Sequence, residues 1–337
     1  MDRVRLIDIS RETGFSINTV SLALKGSSRI SDETRELIVK TAERLHYVPN
    51  NSARFLVTKE SRSVGVIVRN FKSPILLEMI GSLEEYLRQN GFHAIIMGSG
   101  DDLPQTVDAL LAQNVGGMLV YPSLCKSDFE KLHYLRSINV PFVLMSSDGG
   151  DYGMDAVYID RLIGAYKTTA HLASLGHKRI GFVGSDGIKL EGYMKAVEEF
   201  DLAREASLAV DSQSRCCQGG YDAFAALLER NSGMTAVFCS VDTYALGAAK
   251  CCHDLGLAIP ESMAIVGFDN LEEATFARVP LTTVAYDIRA ETETAVNLLL
   301  GRVREGFQTG KCESIALEPE LVVRESSAGG KGIPNPR

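Results

Sequence analysis

Short apolar segments alternate with amphipathic segments from residue 63 onward, and this alternation narrows the fold more than any other feature. The apolar segments, rich in β-branched residues, lie at 64–68, 94–97, 117–121, 142–145, 180–184, 235–239 and 264–267. Segments with helical periodicity separate them at 75–89, 105–113, 129–137, 163–175, 221–229 and 243–255. Continuous apolar strands with intervening helices predict parallel sheets that are covered by helices on both faces.

This α/β region is too long for one open sheet. It spans roughly 260 residues, more than an average domain contains. We therefore predict two α/β lobes, with the break in the turn-rich stretch near residues 146–162. A last long helix, at about 288–304, is expected to return to the first lobe.

The first 62 residues differ from this region in charge. They contain 11 Lys and Arg against 8 Asp and Glu, a net charge of +3. The other 275 residues contain 24 and 35, a net charge of −11, which gives −8 for the whole chain. A small cationic segment joined to a large anionic body predicts a nucleic-acid-binding head on a soluble partner domain.

Residues 6–45 contain three short segments of helical periodicity. Gly14 interrupts the first, and Ser16 and Ser31 precede the second and third. Serine is suited to these positions because its hydroxyl accepts a hydrogen bond from a free amide at a helix start. A helix, a turn with glycine and a second helix form the helix-turn-helix pattern. An ordinary three-helix bundle that binds other proteins is the alternative.

The second helix is predicted to turn one polar face away from the small core. In a major groove, Asn18 can pair with adenine, while Ile17 and Leu22 can contact thymine methyl groups. Hydroxyl side chains in the same segment can donate hydrogen bonds to phosphates. The predicted DNA-binding residues of this helix are Ser16, Ile17, Asn18, Thr19, Ser21, Leu22 and Lys25.

Residues 47–57 join the head to the body and contain a second DNA-binding candidate. Asn50 or Asn51 can cap a helix of about two turns, which is too short to be stable alone in water. Arg54 and Leu56 place a cation beside an apolar wedge, a combination that suits a helix folding in a minor groove. The alternative is a linker whose Leu56 packs against the body.

The sequence lacks the motifs of common catalytic and cofactor sites. No GxGxxG follows a strand, and GxxxxGK[ST], GxSxG and HExxH are absent. The seven cysteines are odd in number and form no CxxC. We therefore expect no enzyme activity, no metal and no cofactor. The N-terminus is too charged for a signal peptide and no apolar run could cross a membrane, so we expect a cytoplasmic, nucleoid-associated protein.

The head resembles that of the lactose/galactose repressor (LacI/GalR) family of transcriptional regulators. The matching segments are 8–9, 16–21, 30–35, 45–50 and 53–56. The body is similar to the family at 63–68, 175–180, 245–248, 266–270, 280–284 and 320–325. Many relatives carry Arg, which can bind guanine, where Leu22 stands, so the operator should differ at that base pair.

The resemblance implies a small all-α helix-turn-helix head on an α/β, periplasmic-binding-protein-like body of two parallel-sheet lobes. It implies a homodimer that binds a pseudo-palindromic operator in double-stranded DNA and represses transcription under control of a small-molecule effector. The expected divisions are a head at 1–48, a hinge helix and linker at 49–62, a body at 63–330 and a flexible tail at 331–337. Within the body, the N-lobe takes about 63–161 and 289–320, and the C-lobe about 162–288 with 321–330.

The same resemblance places six residues against the effector, namely Leu76, Ser123, Lys189, Arg215, Val241 and Asp269. Asp269 falls where the family's Asp accepts hydrogen bonds from ligand hydroxyl or amine groups. Lys189 stands where Arg is common, and Val241 stands where many sugar-binding members have Asn. The resemblance makes a carbohydrate or related metabolite the expected effector, while these two departures argue against a plain pyranose bound in the family's usual way. The alternative is a ligand-independent DNA-binding regulator with a degenerate cleft.

Replacing Leu56 with alanine should weaken specific operator binding on the order of tenfold, because the wedge that opens a base step is lost. Ligand binding by the body should be unchanged. Fluorescence anisotropy with a labelled duplex and calorimetry with the body's ligand measure the two properties. An equal loss of both would indicate misfolding and contradict a role for Leu56 as a wedge.

Overall fold

The computed structural model describes residues 4–47, 61–69, 71, 73–100, 102–121, 126–145, 153–212, 214–230, 233–305 and 312–328. The chain divides into two compact units, at residues 1–61 and 62–337. Three predicted DNA-binding residues, Asn51, Arg54 and Leu56, and the predicted effector residue Ser123 lie outside the described residues.

The described part of the first unit, residues 4–47, contains three helices around a small core. They are α1 (Leu6–Thr13), α2 (Ile17–Leu24) and α3 (Asp32–Arg44). Gly14 ends α1 with a φ of 74°, a left-handed conformation that glycine adopts without a Cβ clash. The Ser16 and Ser31 hydroxyls accept hydrogen bonds from backbone amides at the starts of α2 and α3. The core consists of Ile9, Val20, Ala23, Ile38 and Ala42.

The second unit alternates strands and helices. In chain order its first elements are β1 (Ser63–Val68), α4 (Pro74–Gln89), β2 (His93–Gly98), α5 (Leu103–Ala112), β3 (Gly117–Tyr121), α6 (Lys126–Ser137), β4 (Phe142–Met145), β5 (Ala156–Ile159), α7 (Arg161–Ser174), β6 (Ile180–Val183) and α8 (Gly187–Glu199). They are followed by β7 (Ala209–Val210), α9 (Cys217–Arg230), β8 (Ala236–Cys239), α10 (Asp242–Asp254), β9 (Ala264–Val266), α11 (Glu272–Phe276) and β10 (Thr283–Ala285). The last are α12 (Ile288–Glu305), β11 (Ser314–Leu317), β12 (Glu320–Val322) and α13 (Glu325–Ala328).

These elements form two lobes, each built on a parallel sheet. The N-lobe sheet has the strand order β11-β5-β4-β3-β1-β2, and the C-lobe sheet has the order β7-β6-β8-β9. A short antiparallel ribbon of β10 and β12 completes the C-lobe. Alternate strand residues pack on opposite helical layers, since a strand turns successive side chains to opposite faces. In β6, Phe182 packs with α7 and α8, and Val183 packs with α9 and α10.

The chain passes between the lobes three times, after β5, after β10 and after β11. The helix that follows the second passage, α12, packs against α4 and the N-lobe sheet. The helices α8, α11 and α13 and the strands β5, β7, β10, β11 and β12 are not among the segments that the sequence pattern predicts. Each of these strands has only two to four residues, so it offers little periodicity to detect. Among the described residues, no helix combines the length and apolar character needed to cross a bilayer.

A buried ion pair holds the last N-lobe elements together. Arg302 on α12 donates two hydrogen bonds to Asp155, at 2.8 and 3.0 Å. Asp155 also accepts from the Glu313 backbone amide, just before β11, at 2.8 Å. Asp155 is fully buried and Arg302 is 8% exposed. The pair therefore fixes the returning helix and the last N-lobe strand to the chain that precedes β5.

Replacing Arg302 with methionine should destabilise the N-lobe by about 3–5 kcal/mol, because Asp155 is then a buried charge without its partner. The double variant Asp155→Leu/Arg302→Met should recover most of that loss, since it removes both charges. Urea unfolding followed by circular dichroism measures the first unfolding transition. Equal stability of the single and double variants would contradict this account of the ion pair.

Candidate functional site

The outer face of α2 carries polar and apolar side chains side by side. Ser16, Asn18 and Lys25 are exposed, and Ile17 is 46% exposed. The other predicted DNA-binding residues of this helix, Thr19, Ser21 and Leu22, are half-buried. The Ser16 and Thr19 hydroxyls lie 2.9 Å apart and the Thr19 amide donates to Ser16, so these two groups also build the helix cap. An accessible amide and isoleucine at one helix start suit contact with base edges.

A cavity of about 540 Å³ lies between the two lobes of the body. Tyr121 and Ile159 border it from the ends of N-lobe strands. Ser185, Ser240 and Asp269 border it from segments that follow C-lobe strands. The carboxyl ends of parallel strands thus face each other across the cavity, which is the usual position of a ligand site in an open α/β sheet.

Two oppositely charged residues meet on the C-lobe wall of this cavity. Lys189, on the first turn of α8, donates from Nζ to the Ser240 carbonyl at 2.7 Å. The same Nζ lies 4.0 Å from Oδ1 of Asp269 and 3.5 Å from the centre of the Phe268 ring. Lys189 is 4% exposed. Its ammonium therefore lies against a carbonyl, a carboxylate and an aromatic face.

Burial controls the protonation of this pair. Loss of water raises the pKa of Asp269, and the attraction of Lys189 opposes that rise only in part. Loss of water also lowers the pKa of Lys189, against the attraction of Asp269 and Asp186. The two residues thus stabilise each other's charge against the loss of water.

The backbone at Asp269 is strained in a way that aims its carboxylate at the cavity. Asp269 has a φ of 121° and Asn270 a φ of 56°, values that residues with a side chain rarely adopt. The Asp269 amide donates to the Val284 carbonyl at 3.0 Å, which fixes the turn. Such strain persists only where the surroundings over-determine it, and it concentrates at functional sites.

The surroundings that hold this turn centre on a second, fully buried carboxylate. Asp242, at the start of α10, donates from its amide to the Phe268 carbonyl at 2.7 Å. Its side chain accepts from the Leu271 amide at 2.8 Å and from the Thr283 hydroxyl at 2.5 Å. Burial raises the pKa of Asp242, and these two hydrogen bonds oppose the rise. Asp242 thereby fastens the Asp269 turn to α10 and β10 without touching the cavity itself.

Tyr286 links the turn to a passage between the lobes. It borders the cavity from the segment between β10 and α12, and its hydroxyl donates to Oδ1 of Asp269 at 3.3 Å. Arg161 and Asp186 form another ion pair at the cavity wall, at 2.8 Å. None of these three residues is predicted from the sequence. Tyr286 and Arg161 lie at the lobe passages, so only knowledge of the lobe boundaries could have indicated them.

The structure brings four of the predicted effector residues to the cavity, namely Lys189, Arg215, Val241 and Asp269. Leu76 does not border it. Leu76 is 3% exposed and packs with Met79 and Leu83 in the N-lobe core, because its position on α4 faces the sheet. Its neighbour Ile75 borders the cavity instead. Within the described ranges, no group of His, Cys, Asp or Glu side chains is arranged to hold a metal ion.

Two family models match the chain. Residues 5–50 match the model for bacterial regulatory proteins of the lacI family, and residues 169–327 match the model for a periplasmic binding protein-like domain. The ribose operon repressor of Haemophilus influenzae is 31% identical to this chain over 331 residues. That alignment covers 95% of this chain and 97% of that repressor.

Solved structures with both units resemble the chain over nearly its full length. A lac repressor dimer bound to operator and the anti-inducer ONPF superposes with a TM-score of 0.87 at 24% identity, covering 97% of this chain and 99% of that chain. The transcriptional regulator CelR in complex with cellobiose has a TM-score of 0.72 at 26% identity, with 96% and 100% covered.

The pKa of Asp269, raised to about 7 by burial, predicts a stability that depends on pH. An aspartate in an unfolded chain titrates near ~3.9. Between these pH values the native state binds more protons than the unfolded state, so the Asp269 contribution to the free energy of unfolding falls as pH rises. Relative to Asp269→Asn, the wild type should lose stability from about pH 4 to about pH 7, with a slope on the order of 1 kcal/mol per pH unit.

Urea unfolding of both proteins at a series of pH values measures this difference. An Asp211→Asn variant, which changes an exposed aspartate outside the cavity, is the matched control and should follow the wild type. Parallel stability curves for the wild type and Asp269→Asn would contradict a raised pKa at Asp269.

Proposed function

This chain belongs to the LacI family of bacterial regulatory proteins, and we propose that it represses transcription as a homodimer controlled by a small hydroxylated metabolite. One observation carries the proposal: a single chain joins an exposed helix-turn-helix surface to a two-lobed body with a polar cleft. Lys189 and Asp269 face that cleft as donor and acceptor. As a regulator of chromosomal genes, the protein is proposed to work in the cytoplasm, on the nucleoid.

Operator recognition is assigned to the outer face of α2. Ile17, Asn18 and Leu22 would contact base edges, and the hydroxyls of Ser16, Thr19 and Ser21 with Lys25 would contact phosphates. Asn51, Arg54 and Leu56 are proposed to act in the minor groove between the two heads. Because two identical heads would be related by a two-fold axis, the operator is proposed to be a pseudo-palindrome.

The proposed dimer is supported by large apolar side chains on the surface of both lobes. On the C-lobe, Phe276 is 78% exposed and Leu255 is 59% exposed. The segments that carry these two residues lie side by side, since Nη1 of Arg278 and Nδ1 of His253 are 3.0 Å apart. On the N-lobe, Leu77 of α4 is 56% exposed. Contact with a second copy through both lobes would remove this apolar surface from water.

The chemistry of the cleft favours a carbohydrate or a related metabolite. Asp269 can accept hydrogen bonds from hydroxyl groups, and the Lys189 ammonium can donate to the same groups. The ring of Tyr286 offers an apolar face to the carbon side of a sugar, whereas a face of the Phe268 ring is covered by the Lys189 ammonium. The name of the ribose operon repressor and the cellobiose complex of CelR point to the same ligand class. The described residues at the cavity include no His or Cys, and the cleft is proposed to bind its ligand without transforming it.

The control of DNA binding is proposed to act through the passages between the lobes. A ligand that contacts both walls of the cleft favours one arrangement of the lobes and so alters the spacing of the two linkers. It can change DNA affinity only by its differential affinity for the two arrangements, typically ~1–3 kcal/mol. A ligand hydroxyl bound to Asp269 competes with the Tyr286 hydroxyl, which ties ligand binding to the passage after β10.

Replacing Asn18 with alanine should relax the preference at one base pair in each half-site by ~1–3 kcal/mol, because a bidentate contact to adenine is lost. Competition binding with duplexes that carry single base changes measures this preference. Ser28→Ala changes an exposed residue of the head outside α2 and should leave every preference unchanged. An unaltered preference in Asn18→Ala would contradict the assignment of Asn18 as a base-reading residue.

A further inference from the structure

The C-terminal arm, residues 318–328, reaches the C-lobe by the third passage between the lobes, after β11. Its strand β12 pairs with β10 in the antiparallel ribbon. At the start of the arm, the Pro319 carbonyl accepts a hydrogen bond from Lys167 of α7 at 3.0 Å. At its end, α13 contains two buried serines, Ser326 and Ser327. The arm is therefore a part of the C-lobe that arrives directly from the N-lobe.

Hydroxyl and backbone groups anchor this arm beside β9. The Thr282 hydroxyl accepts a hydrogen bond from the Arg324 amide at 2.8 Å, and the Thr282 amide donates to the Ser326 hydroxyl at 2.8 Å. The Ser326 hydroxyl in turn donates to the Ile265 carbonyl at 2.5 Å. Thr282 is fully buried and Ser326 is 1% exposed. These bonds hold the arm in place without the side chain of Arg324.

The Arg324 guanidinium joins the two ends of the chain between β9 and β10. Its Nη2 donates to Oδ1 of Asn270 at 2.7 Å, and its Nη1 donates to the Leu281 carbonyl at 2.8 Å. Both hydrogen bonds are charge-assisted, which makes them roughly twice as strong as bonds between neutral groups. Arg324 is half-buried, and burial lowers its pKa while the charge of Asp242 opposes that change. The guanidinium thus closes the base of this connection.

The first end of the connection is the strained turn that carries Asp269. Asp269 and Asn270 have φ values of 121° and 56°, so the turn needs support from its surroundings. Asp242 supplies it from inside the lobe, through the Leu271 amide. Arg324 supplies it from the arm, through the Asn270 side chain. Arg324 itself does not border the cavity, so it acts on the cleft only through the turn.

We propose that Arg324 is a positioning residue of the effector site, through which the C-terminal arm holds the turn that carries Asp269. This inference rests on the proposed function, since it takes the cleft to be the effector site. It gives the third passage between the lobes its own connection to that site, in addition to the passage that carries Tyr286. A displacement of the arm would release the Asp269 carboxylate from its direction toward the cleft.

Hydrogen exchange of the full chain tests the proposal without a ligand. Arg324→Met keeps an unbranched side chain and removes every donor. The Asp269 and Leu271 amides, both hydrogen-bonded in the native turn, should exchange about tenfold faster or more, because local opening becomes easier. Amides of β8 should keep the wild-type rate. Unchanged exchange at the turn would overturn the proposal, and so would an equal increase throughout the C-lobe.

Arg179→Met is the matched control for the loss of an arginine. Arg179 is also a half-buried residue of the C-lobe, and it donates two hydrogen bonds to Glu205, at 2.6 and 3.1 Å. It does not border the cavity. Its replacement should leave exchange at Asp269 and Leu271 unchanged. A similar acceleration there would show that any lost C-lobe arginine loosens the turn, contrary to the proposal.

A double-variant cycle tests whether Arg324 acts through Asn270. Asn270→Gly removes the acceptor of the 2.7 Å hydrogen bond, and glycine adopts a φ of 56° without strain. Adding Arg324→Met to this variant should accelerate exchange at the turn by a smaller factor than in the wild type, because the two residues share one interaction. An identical factor in both backgrounds would exclude the route through Asn270 and overturn the assignment.

The pH dependence of stability separates positioning from a general structural role. The difference in pH dependence between the wild type and Asp269→Asn should shrink when both proteins also carry Arg324→Met. A loosened turn exposes the Asp269 carboxyl to water, which lowers its pKa toward the ordinary value. A structural role alone would leave the difference unchanged, and loss of a nearby positive charge alone would enlarge it. Either result contradicts the proposal. The proposed function fails separately, if the full chain recovers no preferred duplex.

Discussion

The effector cleft depends on Asp242, a carboxylate that never reaches it. Asp242 is fully buried, and it accepts hydrogen bonds from the Leu271 amide and the Thr283 hydroxyl while its own amide donates to Phe268. These bonds hold the turn that contains Asp269 at a φ no unconstrained aspartate would keep. A buried carboxylate is costly unless its hydrogen bonds are satisfied. The hydrogen bonds that satisfy the Asp242 carboxylate also hold the turn that directs the Asp269 carboxylate.

The Asp269 carboxylate also links the cleft to the chain that passes between the lobes. Asp269 meets Lys189 on the C-lobe wall and receives the Tyr286 hydroxyl from the passage after β10. A ligand that displaces Tyr286 acts on the connection between the lobes at the moment it binds. The ion pair of Asp155 and Arg302 fixes the far end of α12 to the chain that precedes β5.

The sequence predicted the layered α/β body and the three-helix head because their apolar residues repeat with clear periods. It did not predict α8, whose first turns contain two glycines, or strands such as β5 and β10 with four residues or fewer. At the cleft, Asp269 was assigned through the family resemblance, and its position just after the predicted strand at 264–267 agrees with a place at the edge of the sheet. Leu76 was assigned by position along the chain, but a helix places neighbouring residues on different faces, and Ile75 borders the cavity.

The central claim is that two identical heads read one pseudo-palindromic duplex. Selection of preferred sequences from a random duplex pool, with the full chain at near-physiological salt, tests it most directly. The account predicts a palindrome of roughly 16–20 base pairs with a deformable central step, the spacing expected for two recognition helices one or more helical turns apart. Binding without any consensus, lost steeply as salt increases, would reveal phosphate attraction alone and would contradict the account.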